Sequence, residues 1–293
     1  MNGLGIDRSR SGGGARLGLG LCLVLALGLA MSLSAWSTGP AMGAGFGWSK
    51  IDPARVVPLD QIAPEYREPI SEVIRDHTFH HQGAAESFPC DSNLYMSLVN
   101  EPAITLGLWK DLAETPVRIK RLTADRYQGE DGSGSAATWD FVLRTPNIHV
   151  LIAKVSYISP RGNAQIDARV VLILHTGYYR EVNKEPYVQH DVEAFVKVDS
   201  KGWKTLARTF RPVIEGVLED QVKEAGQFIS LMSRLVVLHP NWATSVAMKQ
   251  VEADEEARIR FRDIVAQNRR PESSDGRPVV MAEKVETADA RRR

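Results

Sequence analysis

The apolar positions of this chain change period twice. From Asp91 to Asn100, Leu94, Leu98 and Val99 fall on one face behind an aspartate suited to capping, which predicts a short helix. Ala103 to Leu112 predicts a second helix. Before them, Thr78 to Cys90 reads as one strand ending at Pro89. After them the period drops to two, and strands are predicted over 116–125, 135–145, 147–159, 165–181 and 187–199. The breaks carry turn chemistry: Gly129 to Gly134, Pro146-Asn147, Pro160 to Asn163, and Asn183 to Pro186. Long strands with short connections predict an antiparallel meander. Beyond Gly202 the spacing returns to three and four, through Leu206, Phe210, Val217, Phe228, Met232 and Val236. This predicts one long amphipathic helix over 204–238, with Pro212 near its first turn, ending before His239-Pro240.

Strand alternation also assigns faces. With Lys154 and Ser156 outward, His149, Leu151, Ala153, Val155 and Tyr157 turn inward. With Asp167 and Arg169 outward, Val170, Leu172, Leu174, Thr176 and Tyr178 turn inward. Val188, His190, Val192, Ala194 and Val196 follow from Asp191, Glu193 and Lys197, and Trp139, Phe141 and Leu143 from Asp140 and Arg144. A bulge in any strand reverses the assignment beyond it. The inner face is mainly apolar, with polar tips at His149, Tyr157, Thr176, Tyr178 and His190. Such a lining suits a small-molecule pocket. It suits equally a filled core in which each polar tip has found a partner.

The order of elements is a strand, two short helices, a run of antiparallel strands and one long closing helix. With the segment SFPCDSNLYMSLVNEPAITLGLWKDL, Ser87 to Leu112, it resembles the helix-grip, or START-like (SRPBCC), superfamily. An apolar helix, an acidic-Pro break at Glu101-Pro102 and a conspicuous tryptophan, Trp109, carry the resemblance, together with the closing helix. It implies an α+β fold, a curved antiparallel sheet packed on a long C-terminal helix. It also implies a hydrophobic small molecule or lipid held between sheet and helix. The residues expected to line that space are Trp109, Trp139, Phe141, His149, Tyr157, Thr176, Tyr178 and His190. Some members are cyclases or hydratase-like enzymes, which would make His149, His190 or Tyr157 an acid or base. A non-catalytic envelope interaction module with a filled core is the third reading.

The chain around this unit divides unevenly. Arg8, Arg10 and Arg16 precede Leu17 to Ala35, a stretch without a charge, and Ala35-Trp36-Ser37 offers small residues for cleavage after Ser37. Residues 1–37 are read as a cleaved signal peptide or an uncleaved transmembrane anchor, the apolar run being long for the former. Either reading puts the bulk of the chain on the non-cytoplasmic side, exported or held at the membrane through residues 17–35. Residues 38–75 read as a Gly/Pro-rich linker, extended with at most a short helix because Pro53, Pro58, Pro64 and Pro69 crowd it. Residues 76–240 form the folded domain. Residues 241–293 form a tail, with an exposed helix over 246–270 and a disordered end.

Charge sharpens this division. The 36 basic and 36 acidic residues sum to zero. Residues 1–50 hold four of the bases and one of the acids, as an export signal requires, and residues 51–240 are mildly acidic. Nothing there suits a nucleic-acid partner. Two cysteines exclude a disulfide scaffold, and Cys90 is expected to be buried. His77, His80 and His81 cluster, but only alternate strand residues share a side and no metal motif accompanies them. No GxSxG, P-loop or GxGxxG motif occurs, and no cofactor is expected.

Overall fold

The computed structural model describes residues 51–132, 134–158, 165–199, 223 and 226–268. The signal or anchor at 1–37, most of the predicted helix over 204–238 and the chain end beyond 268 lie outside the described residues. Among the described residues no helix is long and apolar enough to cross a membrane.

The chain begins with helix α1, Pro53–Val56, a 3-10 turn, Leu59–Gln61, and helix α2, Pro64–Arg75. Strands β1, Phe79–Gln82, and β2, Glu86–Pro89, lead into helices α3, Ser92–Asn100, and α4, Pro102–Leu112. Six strands follow: β3, Arg118–Arg121; β4, Arg126–Glu130; β5, Ser135–Arg144; β6, Ile148–Ile158; β7, Gln165–Arg180; and β8, Pro186–Val198. Helix α5 covers 226–238, α6 is Pro240–Met248 and α7 is Glu255–Gln267. The strands form one antiparallel sheet in the order β1-β8-β7-β6-β5-β4-β3, with β2 also pairing β8. This is the α+β helix grip: a curved antiparallel sheet with the C-terminal helices against its inner face.

Local chemistry accounts for the boundaries. The Asp91 carboxylate accepts from the amides of Asn93 and Leu94 and so starts α3. Pro102 starts α4 at a first-turn position where its missing N–H is not needed. The five strands from β4 to β8 form a continuous meander, and β6 pairs β7 in register along its whole length.

Two strands depart from the sequence reading. The predicted strand Thr78 to Cys90 is two strands broken at residues 83–85. The predicted strand over 116–125 shortens to β3, and β4 occupies part of what reads as turn. Packing the edge of the sheet overrides the turn propensity of Gly129, which pairs with Ala137.

The sheet buries both of its faces. The inner cluster joins Phe79, Phe88, Leu151, Val170, Val188, Val192 and Ala194 to Leu94, Ile104, Phe228, Met232 and Val236. Inward assignments hold through β6, β7 and β8, except that Tyr157 is half-buried and outside the inner core. Leu143 is a clear correction. A bulge between Phe141 and Leu143 reverses the parity, so Trp139 and Phe141 stay inside while Leu143 packs on the outer cluster.

The outer cluster exists because residues 51–75 are not a linker. Val57, Ile62, Ile70, Val73 and Ile74 pack on Val150, Val171, Ile173 and Phe195. The prolines permit this. Pro64 opens α2, and Pro69 forfeits only the bond to the Glu65 carbonyl within it. Polar contacts fasten the helix: Glu72 accepts from Arg169 and from Lys197, whose Nζ lies 2.6 Å from Oε1. Those hydrogen bonds hold the Glu72 carboxyl down to about 2.

The tail is corrected as well. The predicted exposed helix over 246–270 is two helices with Ala243, Val246, Ala247, Ala257, Phe261 and Val265 buried against the inner cluster. Arg121 reaches Asp254 and Glu101, and the Trp242 indole donates to Asp111 at 2.6 Å. Most of the charges that suggested exposure line the solvent side of α7, whereas Arg258 turns back to donate to the Met248 carbonyl.

Ile70 and Ile74 are fully buried under the sheet. Ile70→Ala is expected to cost about 2–5 kcal/mol, read from the urea midpoint. A change below about 0.5 kcal/mol would restore the linker reading.

Candidate functional site

One end of the inner face carries a row of polar side chains across three strands. Glu86 on β2 is the cross-strand partner of His190 on β8, and His190 is the partner of Thr176 on β7. Tyr95 of α3 lies over the row. Its hydroxyl is 3.0 Å from Nδ1 of His190 and 3.3 Å from Oγ1 of Thr176. Phe88 meets the His190 ring edge-on at 5.2 Å, and Tyr178 meets Tyr95 edge-on at 6.3 Å. Tyr178 donates to the Pro146 carbonyl at 2.9 Å.

A cavity of about 560 Å³ opens beside this row, lined by His81, Glu86, His190, Val192, Lys223 and Gly226 among others. The break at residues 83–85 forms part of its wall. Gly226 of α5 packs closely here: a Cβ at that position would sit 3.3 Å from His190 Nε2, which would have to give by a few tenths of an ångström, and 3.5 Å from the Glu86 carboxyl carbon. His190 is 2% exposed, and its Nε2 is buried without a hydrogen-bond partner among the described residues. The Gly226 backbone lies beside the ring and acts on it against the effect of burial.

Electrostatics follow from burial. Burial pushes His190 down to about 4, so the ring is neutral near pH 7. Burial also raises the Tyr95 phenol well above its ordinary range, and it stays protonated. Partial burial raises Glu86, with Lys223 and Arg234 working against it.

The other expected lining residues are spread over the inner face. His149, fully buried, donates from Nε2 to Asn100 Oδ1 at 3.1 Å, while its Nδ1 is unpaired among the described residues. Burial, then the Arg144 charge, push it down to about 4. Trp139 stacks on Tyr127 at 5.7 Å, and Phe141 lies under the Arg144 guanidinium at 4.0 Å. Trp109 meets Phe228 of α5 edge-on at 5.4 Å, joining α4 to the closing helix. Tyr157 sits at the far end of β6, paired with Ser135. Thus His190, Thr176 and Tyr178 come together around Tyr95, and the remainder do not join them.

Sequence reading missed Glu86 and Tyr95. On one unbroken strand Glu86 shares a side with His80, away from Phe79 and His81. The break at 83–85 reverses this, turning Glu86 and Phe88 inward with Phe79 and His81. Tyr95 follows Leu94 on the buried side of α3 and was legible from its helical spacing.

The histidine cluster divides between the two faces. His81 turns to the cavity. His80 lies outside, 2.7 Å from the carboxylate of Glu193 and stacked on Phe195 at 4.4 Å. His175 approaches the other Glu193 oxygen at 3.9 Å. Burial works to raise Glu193, but His175 and the hydrogen-bonded His80 beside it outweigh that and hold the carboxyl to about 2. Among the described residues no group of three such ligands is placed to hold a metal ion. Cys90 is buried, and burial raises its thiol to about 11.

No protein-family model matches this chain, and no curated protein matches it. Solved structures do. A conserved protein from Geobacillus kaustophilus is 11% identical, with 54% of this chain and 97% of that one covered at a TM-score of 0.37. A hypothetical protein from Helicobacter pylori is 11% identical, covering 68% of this chain and all of its own, also at 0.37. Ara h 8.0201 is 11% identical, with 49% of this chain and 98% of that one covered at 0.26.

The buried histidines make stability depend on pH. The unfolded chain protonates histidine near pH 6.5, whereas folded His149 and His190 resist until about 4. Between those values the unfolded state binds more protons, so each ring lowers stability as pH falls, by up to roughly 3 kcal/mol. His175, Glu86 and Glu101 are shifted upward and act the other way. The difference between the wild type and His190→Gln isolates one ring: the wild type is expected to lose more stability from pH 7 to 4.5. Equal losses would refute a neutral buried His190.

Proposed function

We propose that the protein binds an amphipathic small molecule, its apolar part along the inner face of the sheet and its polar end beside Glu86 and His190. The observation that carries this reading is the buried Nε2 of His190, without a hydrogen-bond partner among the described residues, at the border of a cavity of about 560 Å³. A buried polar atom without a partner costs about 1–3 kcal/mol unless something satisfies it. The volume falls within the ~300–1,000 Å³ of small-molecule sites. Val192 is the large apolar side chain of the wall, and Val188, Phe88 and Phe228 pack in the inner cluster behind it.

Export is part of the proposal. The arginines before an uncharged apolar run support transfer of the folded unit across the cytoplasmic membrane. A hydrophobic ligand carrier of the cell envelope is the role this combination describes. Edman sequencing of the purified protein is expected to begin near Thr38 if the signal is cleaved. An intact Met1 in the membrane fraction fits the anchor, and an intact Met1 in the cytosol refutes export.

A cyclase or hydratase-like activity is the second reading. It is favoured by Tyr95 lying within hydrogen-bond reach of both His190 and Thr176. A neutral imidazole linked to a phenol can take up or release a proton at a bound substrate.

The test uses Nile red, an uncharged apolar dye whose fluorescence rises in a dry pocket. The wild type is expected to bind it saturably, and Gly226→Leu, which fills the space before His190 and Glu86, to lose binding at least tenfold with its circular dichroism unchanged. Absence of saturable binding by the wild type, or equal binding by a folded Gly226→Leu, overturns the proposal.

A further inference from the structure

Helix α5 is apolar on two sides. Phe228, Ile229, Met232 and Val236 are buried in the inner cluster. On the opposite side Leu231 and Leu238, two turns apart, are 43% and 61% exposed, and Leu235 between them is half-buried. Arg234 stands on the same side, exposed and without an ion pair among the described residues. Hydrogen bonds continue from the Leu235 carbonyl to His239 and from the His239 carbonyl to Ala243. Trp242 therefore follows Leu238 one turn on and lengthens the stripe. A helix with one core face carries polar residues on the other, and these leucines break that pattern. Contiguous exposed apolar side chains mark a place where something docks.

The end of α7 points to the occupant. Helices α6 and α7 pack side by side, and Arg258 near the start of α7 donates to the Met248 carbonyl at the end of α6. The two therefore run antiparallel, and α7 finishes at Gln267 beside the start of α6, next to Leu238. Residues 269–293 follow. They contain an apolar run, Pro278 to Ala282, behind a polar spacer from Arg269 to Arg277, and Glu283 comes directly after it. We infer that this run docks on the exposed stripe of α5, with Glu283 at Arg234, and straps the closing helix down. Eleven residues separate Asn268 from Val279, a reach of up to ~36 Å, against a stripe of ~10 Å from Leu231 to Leu238.

Size selects a tethered occupant. Three leucines and the edge of a tryptophan offer far less than the ~800 Å² per partner of a stable complex between separate chains. A segment of the same chain meets the stripe at an effective concentration in the millimolar range, so a few side chains suffice. The other end of the chain leaves from the opposite side. Ile51 packs with the outer cluster, across the sheet from α5. The strap has a consequence for the inner face, because α5 carries Phe228 onto Trp109 and Gly226 beside His190. Holding α5 down keeps both contacts in place, with or without a ligand in the cavity.

The experiment is hydrogen exchange at the amides of residues 231–238, read by mass spectrometry. Exchange is expected to be at least threefold faster in a chain ending at Asn268 than in the full protein. Val280→Asp in the full protein, which breaks the apolar run and leaves the described residues unchanged, is expected to do the same. Arg234→Glu is expected to speed exchange, and Arg234→Glu combined with Glu283→Arg to slow it again toward the wild type. Absence of that recovery overturns the contact between Glu283 and Arg234. Equal exchange in the wild type, the shortened chain and Val280→Asp overturns the inference. So does protection that grows with protein concentration and survives loss of the tail, which assigns the stripe to a second copy. If the shortened chain loses its circular dichroism, Val280→Asp alone decides.

Discussion

The central strands of the sheet are covered on both sides, and the other elements answer to that constraint. Residues 170–173 of β7 and 192–196 of β8 are buried without a break. Alternation sends Val170, Leu172, Val192 and Ala194 one way and Val171, Ile173 and Phe195 the other. An antiparallel sheet can leave one face to water. Here neither face of these strands could be wetted without exposing several large aliphatic side chains, each carrying about 1.5–3 kcal/mol of burial. Two separate covers are therefore needed. Helices α3 to α7 supply the inner one and α2 the outer.

Polar groups caught between the covers must be satisfied in place. On the outer side, Arg169 and Lys197 meet Glu72 of α2, and Glu193 meets His80 and His175. These contacts fix α2 and β1 against β7 and β8, where apolar packing alone specifies position less sharply. On the inner side, Tyr95 satisfies Thr176 and one nitrogen of His190, and Asn100 satisfies one nitrogen of His149. Both helical partners come from α3, so one short helix anchors both buried histidines. The second nitrogen of each ring is left over. Both atoms are buried; that of His149 lies in the core, whereas His190 borders a cavity.

Most of the fold was legible because strand alternation and helical spacing are local signals that tertiary packing here reinforced. The faces of β6 to β8 followed from Lys154, Arg169, Glu193 and Lys197. Reading failed where one residue of register decides the outcome. The bulge after Phe141 moved Leu143 outside, and the break at Gly83 moved Glu86 inside; neither leaves a period-two signature in so short a stretch. Helix α2 was hidden by its prolines, whose count suggested an extended chain. Their positions, at the first turn and at one exposed carbonyl, cost little beside five buried apolar residues from this segment. The charged face of α7 concealed its three buried residues in the same way.

The β7–β8 pair shows why register matters for chemistry as well as for packing. His175 and Thr176 are neighbours, as are His190 and Asp191, and each pair sends one residue to each face. Inside, burial without a countercharge keeps His190 neutral. Outside, the Glu193 carboxylate 3.9 Å away raises His175 and favours its charged form. A slip of one residue would exchange these environments. It would set Asp191 in the apolar interior against Tyr95, where an unpaired carboxylate costs several kcal/mol, and leave Glu193 without His80. The polar residues thus oppose the slip that apolar alternation alone would already penalise. The same register that seals the core brings Glu86, His190 and Thr176 into one row beneath Tyr95, so the candidate site is a consequence of how the strands are locked.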